Sequence, residues 1–558
     1  MVVLHSKDVI NKYVSEGWWD NITLIERFKR NVLKNPERLA VVDPPNKKDI
    51  TGLAPERLTY FELYERVKRG ASYLLDHGVF KDKIVLVQFP NTIELVLAYL
   101  SIWKASTIIS PIPLQWRKYE VKKVCNILKP YTYMLIERYK DFDYLSMSKE
   151  LMENECSSIK NIITLSQWSE ITKNYKIRDD INETYLDGND IATIAWTSGT
   201  ETDPKAAPLT HNNWGFLRFL YDGNKYPGAI LNDGEVIAVS SPLINMAAIG
   251  VGLVPWIIIS GTLVLHNPFD PVIFYNQLIN EGVTFTLMVP AIVVSLLKQG
   301  LFNQRLKLKY LAQGAAPPPP WTFVELNKLG IEPINIWGQN EGTGLFSTRE
   351  NIEDLEKRSR AFPWPHKGLK WYQVFNNAID TKIVDPAGNE LKEPGQIGEL
   401  CYKSPFTMAS YFNQPDFTKK SFDNEGYFCT GDYFQIIDHS TISFYDRKKD
   451  IVNRGGFKIP SAEIEDLLKK HPKILDAAVV GWPDPRLGEV VAAFVVLKPN
   501  EALDLEEIRK FMEEQQVAKY KWPEKLIIID QIPRNPLGKA LKNMLRDKVK
   551  ELSENQSI

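Results

Sequence analysis

Through the first 190 residues, apolar runs of strand length alternate with amphipathic runs of helical length, and that alternation leaves few folds open. Residues 59–75 read as an amphipathic helix. Thr59 is its expected N-cap, because a threonine hydroxyl can accept one of the unpaired N–H groups of a first turn. Residues 83–89 (KIVLVQF) read as a buried strand and 92–106 as the next helix. Strands alternating with helices predict a layered α/β domain with a largely parallel sheet. The pattern continues through 285–289 and 334–337, then gives way near 381–450 to short strands and turns, the mark of a smaller β-rich subdomain.

Beyond Asp446 the charged stretch Arg447-Lys448-Lys449-Asp450 reads as a linker. After it come a helix at 461–470, strands at 477–480 and 490–497, a helix at 505–512 and a strand at 525–529. The expected domains are therefore 1–446 and a small α+β domain, 447–558. One segment tests this soluble reading: residues 236–265 carry no charge over a length that could span a bilayer. It nevertheless contains Ser240, Ser241, Asn245, Pro242, Pro255 and three glycines, and it breaks into strand-like, helix-like and strand-like pieces. It reads as buried core around a pocket, not as a membrane span.

Charge excludes other classes. The 68 basic and 69 acidic residues nearly cancel, so nothing draws the whole chain to nucleic acid or an anionic membrane. Four cysteines, far apart in sequence, offer neither a disulfide framework nor a zinc spacing and suit a reducing compartment, so a cytoplasmic location is expected. The N-terminus has no apolar core of the kind a cleaved signal peptide needs.

Five segments carry chemistry when taken together. Trp196-Thr197-Ser198-Gly199-Thr200-Glu201-Thr202-Asp203-Pro204-Lys205 follows an apolar strand and could wrap N–H groups, hydroxyls and one ammonium around phosphate oxygens. It lacks the Walker A spacing, and alone it reads as a solvated turn. The others are Gly314-Ala315-Ala316 after a strand, Trp337-Gly338-Gln339-Asn340-Glu341, Thr430-Gly431-Asp432 with Arg447 downstream, and Pro533 through Lys539.

In this order, over nearly the whole length, they resemble the adenylate-forming acyl-CoA synthetases, the superfamily that includes luciferases and peptide-synthetase adenylation domains. The resemblance implies a large N-terminal domain, a small mobile C-terminal domain, and ATP, Mg²⁺ and coenzyme A as cofactors. It implies phosphate binding by Thr197, Ser198, Gly199, Thr200 and Lys205, and adenine binding along Gly314, Ala315, Ala316, Trp337, Gly338 and Gln339. Asn340 stands where the family has a threonine that contacts the α-phosphate. Glu341 would hold Mg²⁺, Asp432 the ribose, Arg447 the ribose or a phosphate, and Lys539 would bridge the attacking carboxylate and the ATP α-phosphate. Lys449 would be the hinge, and Gly455 and Gly456 would line the pantetheine tunnel. Glu201, Thr202 and Ala206 depart from the family loop, and the lost glycines are expected to stiffen it.

The acyl pocket is expected at Asn245, Met246, Ala247 and Gly338. Acetate-specific relatives carry tryptophan at the position of Gly338, so glycine there predicts an open pocket for a short-to-medium, branched, hydroxylated or small aryl acid. Asn245 reads either as a partner for a substrate hydroxyl or as a group satisfying local backbone. The expected reaction joins a small carboxylic acid to CoA through an acyl-adenylate. Two alternatives stand beside it: a carrier-protein thiol or other acceptor, and a nucleotide-binding protein that has lost catalysis. The preferred acid and the oligomeric state, a homo-oligomer included, stay open.

Overall fold

The computed structural model describes residues 4–182, 186–197, 204–454, 457–484, 486–515, 517, 519–534 and 540–554. They fall into two compact units, one of residues 1–381 and 402–428, the other of 382–401 and 429–558. Asp446 and the linker-like stretch after it lie inside the second unit.

The first unit is built on two sheets. The six-stranded sheet runs in the order Lys205–Thr210, Ile191–Thr197, Ile108–Pro111, Ile84–Gln88, Thr132–Leu135, Asn161–Thr164. All its neighbours are parallel except the first pair, an antiparallel hairpin. The eight-stranded sheet has a parallel centre. Its antiparallel edges pair Thr343–Ser347 with Glu332–Gln339 and Arg57–Thr59 with Leu39–Val42. Helices cover these sheets as the sequence pattern predicts. Tyr60–Asp76 starts at Thr59, whose hydroxyl accepts from Glu62 N–H while the Glu62 carboxylate accepts from Thr59 N–H. Such a reciprocal cap contributes about 1 kcal/mol. Ile93–Lys104 is buried all round, which explains why it has no polar face.

The uncharged stretch is core, as expected. The strands Val236–Val239 and Thr262–Leu265 pair in parallel within the eight-stranded sheet. Between them the helix does not run evenly: Met246–Ala248 passes into a π-helical turn, Ile249–Leu253, before Val254–Ile258 resumes the α form. Among the described residues no helix is long and apolar enough to cross a membrane.

The second unit carries a meander in which Phe428–Asp438 pairs antiparallel with Thr441–Arg447. It also carries a five-stranded sheet dominated by the hairpin Ile474–Asp484 and Gly488–Leu497. One face packs Ile464, Leu468, Ile508 and Met512. The other packs Leu545 and Val549 of the helix Lys542–Glu554, an element the sequence reading did not anticipate. All four cysteines are free thiols, although Cys401 and Cys429 bring their sulfurs to 3.2 Å.

A buried charge cluster ties the strand end after Val42 to the helix Ile93–Lys104. Lys47 Nζ lies 2.7 Å from Asp43 and 2.8 Å from Glu94, all three side chains essentially out of solvent. Asp43 also accepts from Ile93 N–H at 2.8 Å, at the start of that helix. Burial pushes the Asp43 carboxyl up and Lys47 opposes it. Lys47→Met leaves two buried carboxylates without their cation and should lower stability by about 3–5 kcal/mol near neutral pH. Removing Lys47 raises the folded-state carboxylate pKa further above its unfolded value. The folded variant then takes up protons on acidification, and the deficit should shrink from pH 7.5 to 5.5. Urea unfolding of both proteins at the two pH values checks this; a deficit that grows on acidification would refute it.

Candidate active site

The two ends of the phosphate-type loop lie in paired antiparallel strands. Thr197 ends one strand and pairs with Lys205, the first residue of the return strand. Ser198, Gly199, Thr200, Glu201 and Thr202 lie outside the described residues. Ala206, expected to stiffen the loop in place of glycine, is not in the loop. It sits in the return strand opposite Trp196, fully buried, in extended backbone that does not call for glycine. Its N–H donates to Gln414 Oε1 at 2.9 Å and its carbonyl accepts from Phe412 N–H at 2.9 Å. Gln414 also donates through Nε2 to Pro204 O at 3.0 Å, so one carboxamide braces both sides of Lys205.

Lys205 lies against aromatic faces. Its ammonium is 4.8 Å from the Phe417 ring centre and 5.7 Å from that of Tyr411. These are separations at which a ring quadrupole attracts a cation. The hydroxyl of Tyr411, a nearly buried residue, donates to Glu341 Oε1 at 2.7 Å. Glu341 is 7% exposed, and its carbonyl accepts from Met408 N–H at 2.9 Å. The expected phosphate cation and the expected metal carboxylate thus engage the same side chain. Sequence reasoning missed Tyr411, Gln414 and Phe417, whose segment lies about 200 residues beyond the loop.

Glu341 follows the strand Glu332–Gln339 and precedes a tight reversal. Gly342 has φ +76°, and a Cβ there would run into Phe406 O and come within 2.9 Å of Leu209. Only glycine suits that corner. Trp337 lies in the same strand, paired with Leu345 and nearly buried; Gln339 pairs with Thr343. Gly314 is buried after the strand Tyr310–Gln313, and Ala315 adopts φ +70° with Ala315 and Ala316 exposed. Directly before this turn, Gln313 is fully buried, and neither atom of its carboxamide has a hydrogen-bond partner.

The acyl-side residues also meet here, with two outcomes the sequence left open. Asn245 uses its side-chain oxygen to accept from Ala248 N–H at 3.1 Å, so it satisfies local backbone as the N-cap of Met246–Ala248. The space that Gly338 vacates is filled: a Cβ at 338 would run into Met246 Cε and come within 2.8 Å of Thr343 O. Met246 is buried and Ala247 exposed. A narrow recess lies near this segment, between Val239 and the π-helical turn at Val251 and Gly252. Asn340 donates to Trp196 O at 2.8 Å and accepts from Met246 N–H at 2.7 Å.

In the second unit, Asp432 and Arg447 face each other across the antiparallel pair, with Arg447 Nε 3.9 Å from Asp432 Oδ1. Asp432 is 6% exposed. Glu399, also missed in the sequence, clamps the turn before it: one oxygen accepts from Gly431 N–H at 3.0 Å, the other from Lys448 Nζ at 2.8 Å. Lys449 reaches the surface, yet its ammonium is lowered to about 8, first by lost hydration and then by repulsion from Arg447. The Lys449 carbonyl accepts from Arg546 at 2.8 Å. Gly455, Gly456 and Lys539 lie outside the described residues.

Similarity to known proteins follows the same map. The family model for AMP-binding enzymes matches residues 28–412, and the model for their C-terminal domain matches 463–539. The medium-chain fatty-acid–CoA ligase of Escherichia coli (strain K12) is 28% identical over 96% of this chain and 92% of its own. Enterobactin synthase component E of the same organism is 25% identical over 97% of each. Among solved structures, ATP-bound MatB from Rhodopseudomonas palustris superposes with a TM-score of 0.80 at 22% identity, covering 96% of this chain and 100% of that one. The o-succinylbenzoate CoA synthetase of Bacillus subtilis, solved with its acyl-adenylate, gives 0.77 at 24% identity, covering 93% and 98%. This chain belongs to the AMP-binding enzyme family, the adenylate-forming acid–thiol ligases.

Proposed function

We propose that this enzyme activates a carboxylic acid with ATP to an acyl-adenylate, releasing pyrophosphate, and passes the acyl group to the thiol of coenzyme A, releasing AMP. The observation that carries the reading is the convergence of Lys205 and Glu341 on Tyr411, beside the stem of the phosphate-type hairpin. The relatives' names support it, since they include both CoA ligases and a 2,3-dihydroxybenzoate–AMP ligase.

The chemistry is a problem of charge. A carboxylate must attack an anionic α-phosphate, and the bond to the pyrophosphate oxygen must break. Fixed positive groups lower that barrier when they are already oriented. Lys205 and the hydroxyls of Thr197, Ser198 and Thr200 would bind the leaving phosphates, with Gly199 allowing close backbone approach. Gly314, Ala315, Ala316 and Trp337 would receive the adenine, Asp432 and Arg447 the ribose. Lys539 would draw the attacking carboxylate and α-phosphate together. In the second step the segment after Arg447 would turn about Lys449, and Gly455 and Gly456 would admit the pantetheine arm.

The donor set suits Mg²⁺. Among the described residues no cluster of three or more His, Cys, Asp or Glu could hold a metal, whereas Glu341 offers a single carboxylate. That matches a hard ion that takes most of its ligands from phosphate and water. When bound, Mg²⁺ neutralises phosphate charge. Glu341 positions it, and Tyr411 fixes one oxygen of Glu341.

Met246 fills the space that glycine at 338 was expected to leave open, so a short-to-medium, branched, hydroxylated or small aryl acid enters only as the flexible thioether moves aside. The free thiols suit action in a reducing, cytoplasmic setting.

Labelled pyrophosphate should exchange into ATP when the enzyme is given Mg²⁺ and a panel of acids, and AMP release should then require CoA. No exchange with any acid would refute the proposal; exchange without CoA-dependent AMP release would assign a different acceptor. Lys539→Ala should slow adenylation by roughly 10²–10³-fold, the effect of losing one oriented donor, while sparing thioester formation from supplied acyl-adenylate. Equal loss in both half-reactions would contradict its role.

Tyr411→Phe keeps the ring beneath Lys205 and removes only the bond to Glu341. The Mg²⁺ concentration for half-maximal exchange should rise about 10-fold, as expected for a hydrogen bond to a charged group, with little change in Tm. An unchanged Mg²⁺ requirement would show that the phenol does not position the carboxylate.

A further inference from the structure

Asn340 joins the nucleotide-side hairpin to the acyl-side helix through a single side chain. Its Nδ2 donates to the carbonyl of Trp196, one residue before Thr197, at 2.8 Å. Its Oδ1 accepts from the N–H of Met246, the first residue of the short helix Met246–Ala248, at 2.7 Å. Both partners are backbone groups, so the carboxamide reads the position of two chain segments and not the identity of their side chains. The Trp196 residue belongs to the strand Ile191–Thr197, whose hairpin partner Lys205–Thr210 begins at the proposed phosphate cation.

What Met246 does makes the bond consequential. Its Cε lies over Gly338, and its Sδ would be 3.6 Å from a Cβ at Gly250. The thioether therefore closes the space that glycine at 338 opens. Asn245 caps the same helix by accepting from Ala248 N–H, and the π-helical turn Ile249–Leu253 follows at once. A π-turn is a weakly held piece of helix, common where a chain must adjust around a ligand. The three-residue helix in front of it has little hydrogen bonding of its own, and Asn340 supplies the anchor for its first N–H. A threonine, with its hydroxyl one atom nearer the backbone and no amide fork, cannot reach both carbonyl and N–H in this way.

We propose that Asn340 is a positioning residue that sets where Met246 stands over Gly338, and thereby the depth of the acid pocket, by locking the acyl-side helix to the strand that enters the phosphate loop. The role rests on the adenylation reading above and differs from direct contact with the α-phosphate, because the amide oxygen and one amide N–H are already used within the protein. Through this link, the acid that fits and the loop that holds the phosphates are registered against each other.

The test compares the wild type with Asn340→Thr and Asn340→Asp on straight-chain acids from two to twelve carbons. Acid binding to the intact enzyme without ATP is measured by calorimetry, and each acid's kcat/KM and the KM for ATP by pyrophosphate exchange. Asn340→Thr loses the bond to Met246. Its acid Kd should rise about 5–10-fold for the acids the wild type prefers, the usual size for one neutral hydrogen bond, and its preference should move toward longer acids. The ATP KM should stay within about 2-fold, since the amide oxygen and one amide N–H are held by the backbone of Met246 and Trp196 and the threonine hydroxyl can still donate to Trp196 O. Asn340→Asp keeps an acceptor for Met246 N–H and should retain the wild-type chain-length profile, while its carboxylate repels the Trp196 carbonyl and raises the ATP KM.

An unchanged length profile in Asn340→Thr overturns the proposal. So does an equal loss for every acid together with a large rise in ATP KM, which assigns Asn340 to the phosphate, or a fall in Tm with normal acid ratios, which leaves it a structural prop. If the wild type exchanges no pyrophosphate with any acid, the adenylation reading fails instead, and the calorimetric profile alone decides the role of Asn340.

Discussion

The candidate site depends on a side chain that is absent. At residue 342 the chain must reverse with φ +76°, and the place a Cβ would take is already filled by Phe406 O. Glycine lets the strand Glu332–Gln339 turn back into Thr343–Ser347 within a few residues. Because of that turn Trp337, Asn340 and Glu341 follow one another along a rigid edge. A side chain there would have to push away the backbone that also delivers Met408 N–H to Glu341. The strain would fall on the segment that carries Tyr411. Both the metal carboxylate and the aromatic seat of Lys205 would be displaced together.

Tyr411 shows how a cation and a carboxylate can share a rigid support. Its ring face attracts Lys205 and its hydroxyl holds Glu341, so one two-angle side chain sets where both charges stand. A phenol orients both groups while carrying no charge of its own. Orientation of this kind, made before the ligand arrives, is what gives electrostatic catalysis its strength. Gln414 extends the same support to the hairpin stem through Pro204 and Ala206. The segment 411–417 is therefore a brace for the phosphate loop, although it carries none of the residues the family motifs single out.

Much of the fold was legible because it rests on local rules. The Thr59 cap, the strand at 84–88 and the helix at 93–104 follow from side-chain chemistry and periodicity within a dozen residues. The uncharged stretch at 236–265 was rightly read as core, since its prolines, glycines and serines break it into pieces too short to cross a membrane. The π-helical turn was not legible, because it depends on how Gly252 packs against Val239. Nor was the contact of Met246 with Gly338, about ninety residues apart, which changed the meaning of the glycine. The helix Lys542–Glu554 could have been found from Leu545, Val549 and Leu552 at helical spacing. Tyr411, Gln414 and Glu399 could not, since nothing near them in sequence says which carboxylate or loop they touch.

The departures from the family motifs now have different weights. Ala206 costs nothing, because it lies in a strand where glycine has no conformational advantage. Asn340 is more than a tolerated substitute, since both ends of its amide are matched to backbone groups at about 2.7–2.8 Å. Here the substituted residue is better tied than a threonine could be. The Tyr411, Gln414 and Glu399 bonds around the other candidate residues are also formed. Order around Asn340, Tyr411 and Glu399 is thus kept where the motif residues change.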